Sequence, residues 1–157
     1  MAIMFDPSEI FQLAIRIEEN GEKFYRSMAE KLPDQQVKEL FSFLADEEVS
    51  HKNFYKDILS KIDTFEPYES YPGEYFSYLR AYANNIIFSE KTFEVKLEQI
   101  ADALSAIDFA IKAELDSILY YQEIKKLVPE KKHAQIDEII DEERRHFVKL
   151  TDIKNKL

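Results

Sequence analysis

The sequence predicts an all-α protein, a bundle of four long helices that form two αα-hairpins joined by a long crossover. Only two glycines and five prolines occur in 157 residues, which favours long helices over many turns. Apolar residues recur at alternating steps of three and four along four segments, which is the spacing of one packed helix face. The second half of the chain repeats the pattern of the first at an offset of 95 or 96 residues. We therefore predict the same helix pair twice.

The first predicted hairpin comprises helices at about 8–32 and 34–62. Asp6 can cap the first helix and Pro7 suits its first position, whereas Pro33 separates the two helices. Because the connection between them is short, the two helices should be antiparallel. Their core-facing rows are Phe11, Ala14, Glu18, Gly21, Tyr25, Met28 and Leu32, then Phe41, Leu44, Glu48, His51, Tyr55, Ile58 and Ile62.

Residues 63–101 form the predicted crossover, with a short helix at about 74–85. The crossover is rich in aromatic side chains, which we expect to pack it on the bundle rather than to line a ligand pocket. A dimer interface is compatible with either arrangement. These side chains are Phe65, Tyr68, Tyr71, Tyr75, Phe76, Tyr78 and Tyr82.

The second predicted hairpin comprises helices at about 102–128 and 130–156, separated at Pro129. The glutamate and tyrosine of the first helix recur in the third after 96 residues, and the Glu-x-x-His of the second recurs in the fourth after 95. The corresponding rows are Ile107, Ala110, Glu114, Ser117, Tyr121, Ile124 and Val128, then Ile136, Ile139, Glu143, His146, Leu150, Ile153 and Leu157.

Length and composition exclude several classes of protein. A chain of 157 residues fits one domain, which we place over 1–157. Its net charge of −10 argues against nucleic acid as a partner, and the lack of cysteine excludes disulfides and thiolate metal sites. No apolar run is long enough for a membrane helix, and no basic region precedes the short apolar start, so we expect a soluble, cytoplasmic protein.

Each core-facing row carries a glutamate in its middle, namely Glu18, Glu48, Glu114 or Glu143. A carboxylate in an apolar seam is costly unless it is paired or bound to metal. Each glutamate lies 13 or 14 residues from its hairpin turn, which is roughly 20 Å at about 1.5 Å per residue. The four carboxylates should therefore meet at one level of the bundle.

His51 and His146 follow their glutamates by three residues, so each shares a helix face with its glutamate. Four carboxylates and two imidazoles suit two metal ions, and we prefer this hypothesis to core polar groups that merely satisfy one another. Tyr25 and Tyr121 lie two turns beyond Glu18 and Glu114. Their hydroxyls could donate hydrogen bonds to the ligand carboxylates, or they could be core tyrosines with other partners.

Four segments of the sequence resemble the rubrerythrin-type branch of the ferritin-like superfamily. The segments are AIRIEENGEKFY (14–25), DEEVSH (46–51), ELDSILYY (114–121) and DEERRH (141–146). The resemblance implies a ferritin-like bundle with a centre of two iron ions. Its ligands would be Glu18, Glu48, His51, Glu114, Glu143 and His146. The implied activity is reduction of hydrogen peroxide or reaction with dioxygen.

Two departures from the family pattern limit what the resemblance implies. Rubrerythrins usually carry a rubredoxin domain whose iron is held by four cysteines, and this sequence has none. We therefore expect electrons to come from a separate protein such as a rubredoxin. Ser117 stands where rubrerythrins have an extra glutamate, which leaves the site close to symmetric and argues against efficient peroxidase turnover.

We interpret the chain as a di-iron oxidoreductase that acts on peroxide or dioxygen, and we expect a homodimer. Glu48 and Glu143 are the bridging candidates, with Glu18 and Glu114 terminal and one histidine for each metal. Two alternatives stay open. One is an iron-binding, storage or ferroxidase protein without peroxidase turnover. The other is a structural bundle that holds manganese or zinc, or stays empty.

Overall fold

Long helices make up most of the chain in the computed structural model, which describes residues 7–61, 77–78, 81, 90–126, 128 and 130–157. The predicted all-α architecture is confirmed, and no strand occurs within these ranges. The helices are α1 (Pro7–Lys31), α2 (Gln35–Ser60), α3 (Glu90–Gln99), α4 (Ala103–Lys125) and α5 (His133–Lys154), with a 3₁₀ turn, Glu130–Lys132, before α5.

Two antiparallel hairpins form the bundle. Helix α1 packs along α2, α4 packs along α5, and the hairpins meet through the pairs α1–α4 and α2–α5. The apolar core divides into two clusters, one around Tyr55 and Tyr121 and the other around Phe24 and Phe41. Along each long helix, the buried charged residues lie between these two clusters. The bundle therefore has a polar layer in its middle, closed by apolar packing on both sides.

Local hydrogen bonds explain where the helices begin. An Asp34 carboxylate oxygen accepts a hydrogen bond from the Val37 amide at 3.0 Å, and Asp102 accepts one from the Ser105 amide at 2.8 Å. Both are N-cap bonds of the kind that satisfy free amides in a first helical turn. Helix α5 lacks a side-chain cap and follows the 3₁₀ turn directly. All boundaries of the four long helices fall within three residues of the predicted ones.

The crossover contains a helix that the sequence did not predict as a separate element. Helix α3 contacts α1, and its inward face consists of Phe93 and Leu97, one turn apart. Tyr78, which is exposed, is helical together with Ser77 and Ala81. The rest of the predicted 74–85 helix, the other crossover aromatic residues and the Asp6 cap lie outside the described residues. The single-domain assignment stays a prediction.

None of the helices in the described ranges is long and apolar enough to cross a membrane.

Candidate metal centre

The polar layer brings all six predicted ligands together from four helices. Helix α1 supplies Glu18, α2 supplies Glu48 and His51, α4 supplies Glu114, and α5 supplies Glu143 and His146. All six side chains are buried. Residues that stand up to 128 positions apart in the sequence thus meet because each occupies the middle of its core-facing row. That they bind metal stays a prediction.

Their ligand atoms form two adjacent groups. Within each group, one carboxylate oxygen or ring nitrogen from every residue lies within 4.8 Å of the others. Glu48 and Glu143 belong to both groups, and each group adds one glutamate and one histidine. The first group is Glu18, Glu48, His51 and Glu143, and the second is Glu48, Glu114, Glu143 and His146. Two cations bound there would share two carboxylates, which is the division of roles expected from the sequence.

Both imidazoles present the same nitrogen to the carboxylates. The Nδ1 atom of His51 lies 2.8 Å from Glu143 Oε1 and 3.6 Å from Glu18 Oε2. The Nδ1 atom of His146 lies 3.3 Å from Glu143 Oε2 and 3.6 Å from Glu114 Oε1. The two rings are stacked, with centroids 5.9 Å apart and planes 20° apart. Each Nδ1 is therefore placed to become a ligand of its own group.

Several of these buried atoms lack a hydrogen-bond partner. A buried polar atom without a partner typically costs about 1–3 kcal/mol, so such a concentration at one level needs a compensating interaction. Divalent transition ions bound by carboxylate oxygens and imidazole nitrogens would provide it. The unpaired atoms in the layer are Glu18 Oε2, Glu48 Oε1, and Nδ1 and Nε2 of His146. His51 Nδ1 and Glu143 Oε1 lie 2.8 Å apart but not in hydrogen-bond geometry.

Without metal, protons take the place of cations in the cluster. Burial raises the pKa of Glu48 and Glu114, and neighbouring carboxylates raise it further. Burial alone would lower the pKa of the histidines. The surrounding glutamates outweigh this effect and raise it to about 12 for His51 and about 10 for His146. Burial opposes ionisation of Glu143 too, but contacts with Glu114 and both imidazoles lower its pKa.

Two tyrosines hold the outer glutamates from the opposite hairpin. The Tyr25 hydroxyl on α1 donates a 2.5 Å hydrogen bond to Glu114 on α4. In the same way, the Tyr121 hydroxyl on α4 donates a hydrogen bond to Glu18 on α1. In Glu18, the bond to Tyr121 leaves Oε2 facing His51 Nδ1. In Glu114, the oxygen that accepts from Tyr25 is also the one that lies 3.6 Å from His146 Nδ1. The pair also links the two hairpins at the level of the site.

Glu47 and Glu142 lie on the outer side of the histidines and are partly exposed. Glu142 Oε2 lies 2.6 Å from His51 Nε2, and Glu47 Oε2 lies 3.7 Å from His146 Nε2. A carboxylate that accepts a hydrogen bond from one imidazole nitrogen orients the ring so that the other nitrogen can bind metal. Glu142 is close enough to act on His51 in this way, whereas Glu47 is too far from His146 for a hydrogen bond.

Gly21 provides space for one of the shared carboxylates. A Cβ atom at this position would lie 2.6 Å from Glu48 Oε2. The corresponding residue of the second hairpin is Ser117, so a side chain fits at that position. Its hydroxyl donates a 2.9 Å hydrogen bond to the Ala113 carbonyl. The small residue at 21 therefore sets the position that the Glu48 carboxylate can take.

Sequence reasoning treated Tyr55 only as part of an apolar row. Its hydroxyl is fully buried without a hydrogen-bond partner, and its ring lies 5.0 Å from that of Tyr121. Burial raises its pKa, and the charges of Glu18 and Glu143 raise it further. The signal was present in the sequence. Tyr55 follows Glu48 by seven residues, as Tyr25 follows Glu18 and Tyr121 follows Glu114.

Four glutamates and two Glu-x-x-His histidines at one level of a two-hairpin bundle define a class, the ferritin-like dinuclear carboxylate proteins. The rubrerythrin family model matches residues 9–154, and the chain belongs to that family. The fold is similar to that of a ferritin-like diiron-carboxylate protein from Thermotoga maritima, with 29% sequence identity and a TM-score of 0.71 over 99% of this chain and 98% of that one. No curated protein matches the chain significantly.

The comparisons confirm the predicted family and the ferritin-like bundle.

Proposed function

We propose that this protein is a non-haem di-iron oxidoreductase that reduces hydrogen peroxide or reacts with dioxygen. The observation that carries the proposal is the pair of ligand groups that share Glu48 and Glu143. Glu18 and His51 would complete one iron site, and Glu114 and His146 the other. Iron bound there supplies a reversible change between divalent and trivalent states, which carboxylate ligands tolerate well.

The surrounding side chains would keep this centre in one geometry. Tyr25 and Tyr121 hold Glu114 and Glu18 by hydrogen bonds, and Glu142 orients the ring of His51. A buried layer also excludes bulk water, which strengthens the electrostatic interactions within it. Tyr25 carries its hydroxyl proton at the edge of a cavity next to Glu114, where a small oxidant could approach.

Electrons would come from a separate carrier protein such as a rubredoxin. Phe43 supports this proposal because it connects the solvent to a ligand. Its side chain is 41% exposed, and its ring centroid lies 6.3 Å from that of His146. A donor docked over Phe43 would be separated from the metal-binding imidazole by a single ring.

A second candidate function is iron binding or storage with slow ferroxidase activity. Ser117 favours it, because the resemblance to rubrerythrins places an additional glutamate at this position. The Ser117 hydroxyl donates to the Ala113 carbonyl and provides no carboxylate to the centre. A site without that glutamate would oxidise iron(II) more readily than it would turn over peroxide.

Metal analysis and anaerobic titration distinguish these functions. Purified protein should contain two irons per chain, and the reduced centre should be reoxidised by peroxide in preference to dioxygen. A centre that holds zinc, or no metal, would rule out the redox proposal. Turnover of added iron(II) with accumulation of mineral, but no peroxidase cycle, would identify the storage function.

A further inference from the structure

A small cavity lies directly beside the proposed centre, between α1 and α4. It measures about 60 Å³, and its polar lining residues are Asn20, Tyr25, Glu48, Glu114 and Ser117. Ile17, Phe24, Phe93 and Phe109 are prominent in its apolar wall. The cavity borders the ligand group that contains Glu114, and Glu18 does not line it. A molecule in the cavity would thus meet the carboxylates of the proposed site and a wall that is mainly apolar.

The crossover supplies one wall of this cavity through Phe93 of α3. Phe93 is only 4% exposed, although Glu94 and Val95 beside it are exposed, so its ring is inserted into the bundle. Lys23 on α1 contacts α3 at two residues. Its ammonium group lies 3.1 Å from Glu94 Oε1 and 5.9 Å from the Phe93 ring centroid.

We propose that this cavity is the binding chamber for the oxidant, and that Phe93 is the specificity-determining residue that limits it to molecules as small as hydrogen peroxide or dioxygen. The inference rests on the proposed function for the identity of the reaction, but its size limit rests on the cavity alone. Organic hydroperoxides with a ring or a branched alkyl group are excluded.

Cavity volume is the basis of this size limit. An engineered protein cavity of about 150 Å³ admits benzene, whereas this one measures about 60 Å³. Cumene hydroperoxide carries a phenyl ring and three further carbons, so it cannot bring its O–O group to Glu48 and Glu114. Hydrogen peroxide has only two heavy atoms and fits. Replacing Phe93 by alanine removes a phenyl ring from the wall and leaves space for another ring.

The reaction would be the same for hydrogen peroxide and for an organic hydroperoxide. Reduction would break the O–O bond and consume two protons and two electrons, which bound, reduced iron would supply. Hydrogen peroxide yields two molecules of water, and an organic hydroperoxide yields one alcohol and one water. Only access to the centre distinguishes the two substrates.

The kinetic test compares Phe93→Ala with Val95→Ala, a matched truncation of a 45% exposed residue on the same helix. The wild-type, iron-loaded, reduced protein should be reoxidised much faster by hydrogen peroxide than by cumene hydroperoxide. Phe93→Ala should raise the rate with cumene hydroperoxide at least roughly tenfold and leave the rate with hydrogen peroxide within a few-fold. Val95→Ala should match the wild type.

A second test uses the metal-free protein and no reaction. The wild type should bind xenon but not benzene, and Phe93→Ala should bind both. Binding is followed by chemical-shift changes of the protein. Phe93→Leu, which fills more of the wall, provides a milder variant if alanine impairs folding, and it should fall between the two.

Benzene binding to the wild type, or equal wild-type rates with the two peroxides, would overturn the size limit. Failure of both Phe93 variants to admit benzene would overturn the role of Phe93. If no protein reacts with any peroxide but Phe93→Ala binds benzene, the size limit stands and the proposed function fails.

Discussion

Glu47 and Glu48 are neighbours in the sequence but face different sides of the histidine layer. Glu48 belongs to both ligand groups, whereas Glu47 approaches only the outer nitrogen of His146. Glu48→Ala should therefore abolish binding of two metals. Glu47→Ala should keep both metals with little change in affinity, because its carboxylate lies 3.7 Å from His146 Nε2, too far for a hydrogen bond. Metal-to-protein ratios after dialysis measure both effects, and the reverse result would mean that the helical register is wrong.

Gly21 offers a test that separates metal binding from folding. Alanine at this position would displace the Glu48 carboxylate, because its Cβ would lie 2.6 Å from Oε2. The carboxylate is the far end of a flexible side chain and can move, and alanine is favoured over glycine in a helix by about 1 kcal/mol. The metal-free Gly21→Ala protein should thus be at least as stable as the wild type and yet bind metal more weakly.

Thermal unfolding of the metal-free protein and metal titration check this prediction. Ser117→Ala is the matched control, since a Cβ is already present at the equivalent position of the second hairpin. Unchanged metal affinity in Gly21→Ala would show that the space beside Glu48 is unimportant.

At the scale of the elements, the two hairpins depend on where their helices begin. Asp34→Ala removes the cap of α2, whose carboxylate oxygen lies 3.0 Å from the Val37 amide. We expect the free energy of unfolding to fall by about 1 kcal/mol, measured by urea denaturation. Gln36→Ala, an exposed change in the same helical turn, should have little effect. A loss of similar size in the control would assign the effect to helix composition instead of the cap.

The four long helices were predictable because each carries a continuous row of apolar residues at steps of three and four. The same rows placed Glu18, Glu48, Glu114 and Glu143 at one level, since rise per residue converts sequence distance into height. Among the described side chains of α3, Phe93 and Leu97 face the bundle, and two positions are too few to distinguish a packed helix from a polar loop by periodicity.

The wall of the cavity could not be predicted for a related physical reason. Phe93 reaches the site only because the crossover brings α3 against α1, and periodicity within a segment does not specify where that segment packs. Contacts between helices set the remaining details. The hydrogen bond from Tyr25 to Glu114 depends on how closely the two hairpins pack, and the apolar row of a single helix does not determine that distance.

At the scale of the whole molecule, the two hairpins repeat the same sequence pattern, but the surroundings of the two ligand groups differ. In the repeat, Gly21 corresponds to Ser117 and Tyr55 to Leu150. The Tyr55 ring packs against Tyr121 on one side of the centre, whereas the other side is left open by the cavity. Glu114 lines the cavity and its counterpart Glu18 does not, so two ligand groups of the same composition differ in access.

The buried charges also make the stability of the whole molecule depend on metal and on pH. In the metal-free protein, the raised pKa of Glu48 and Glu114 means that the folded state retains protons that the unfolded chain loses above about pH 4.5. His51 and His146 act in the same direction, because their folded pKa values of about 12 and about 10 exceed the ordinary 6.5. The unfolding free energy of the metal-free protein should therefore fall as pH rises above about 4.5, and further as pH rises above about 6.5.

Bound metal should reverse that trend. Metal ions require deprotonated carboxylates and neutral imidazoles, so their binding releases these protons and strengthens as pH rises. The lowered pKa of Glu143 opposes the trend only in acid, below the ordinary carboxyl range. We expect the difference in melting temperature between the metal-loaded and the chelator-treated protein to be larger at about pH 8 than at about pH 6. Glu48→Ala, which should not bind two metals, should show little difference at either pH. If the difference in melting temperature of the wild type became smaller with rising pH, the cluster would not bind metal through these six side chains.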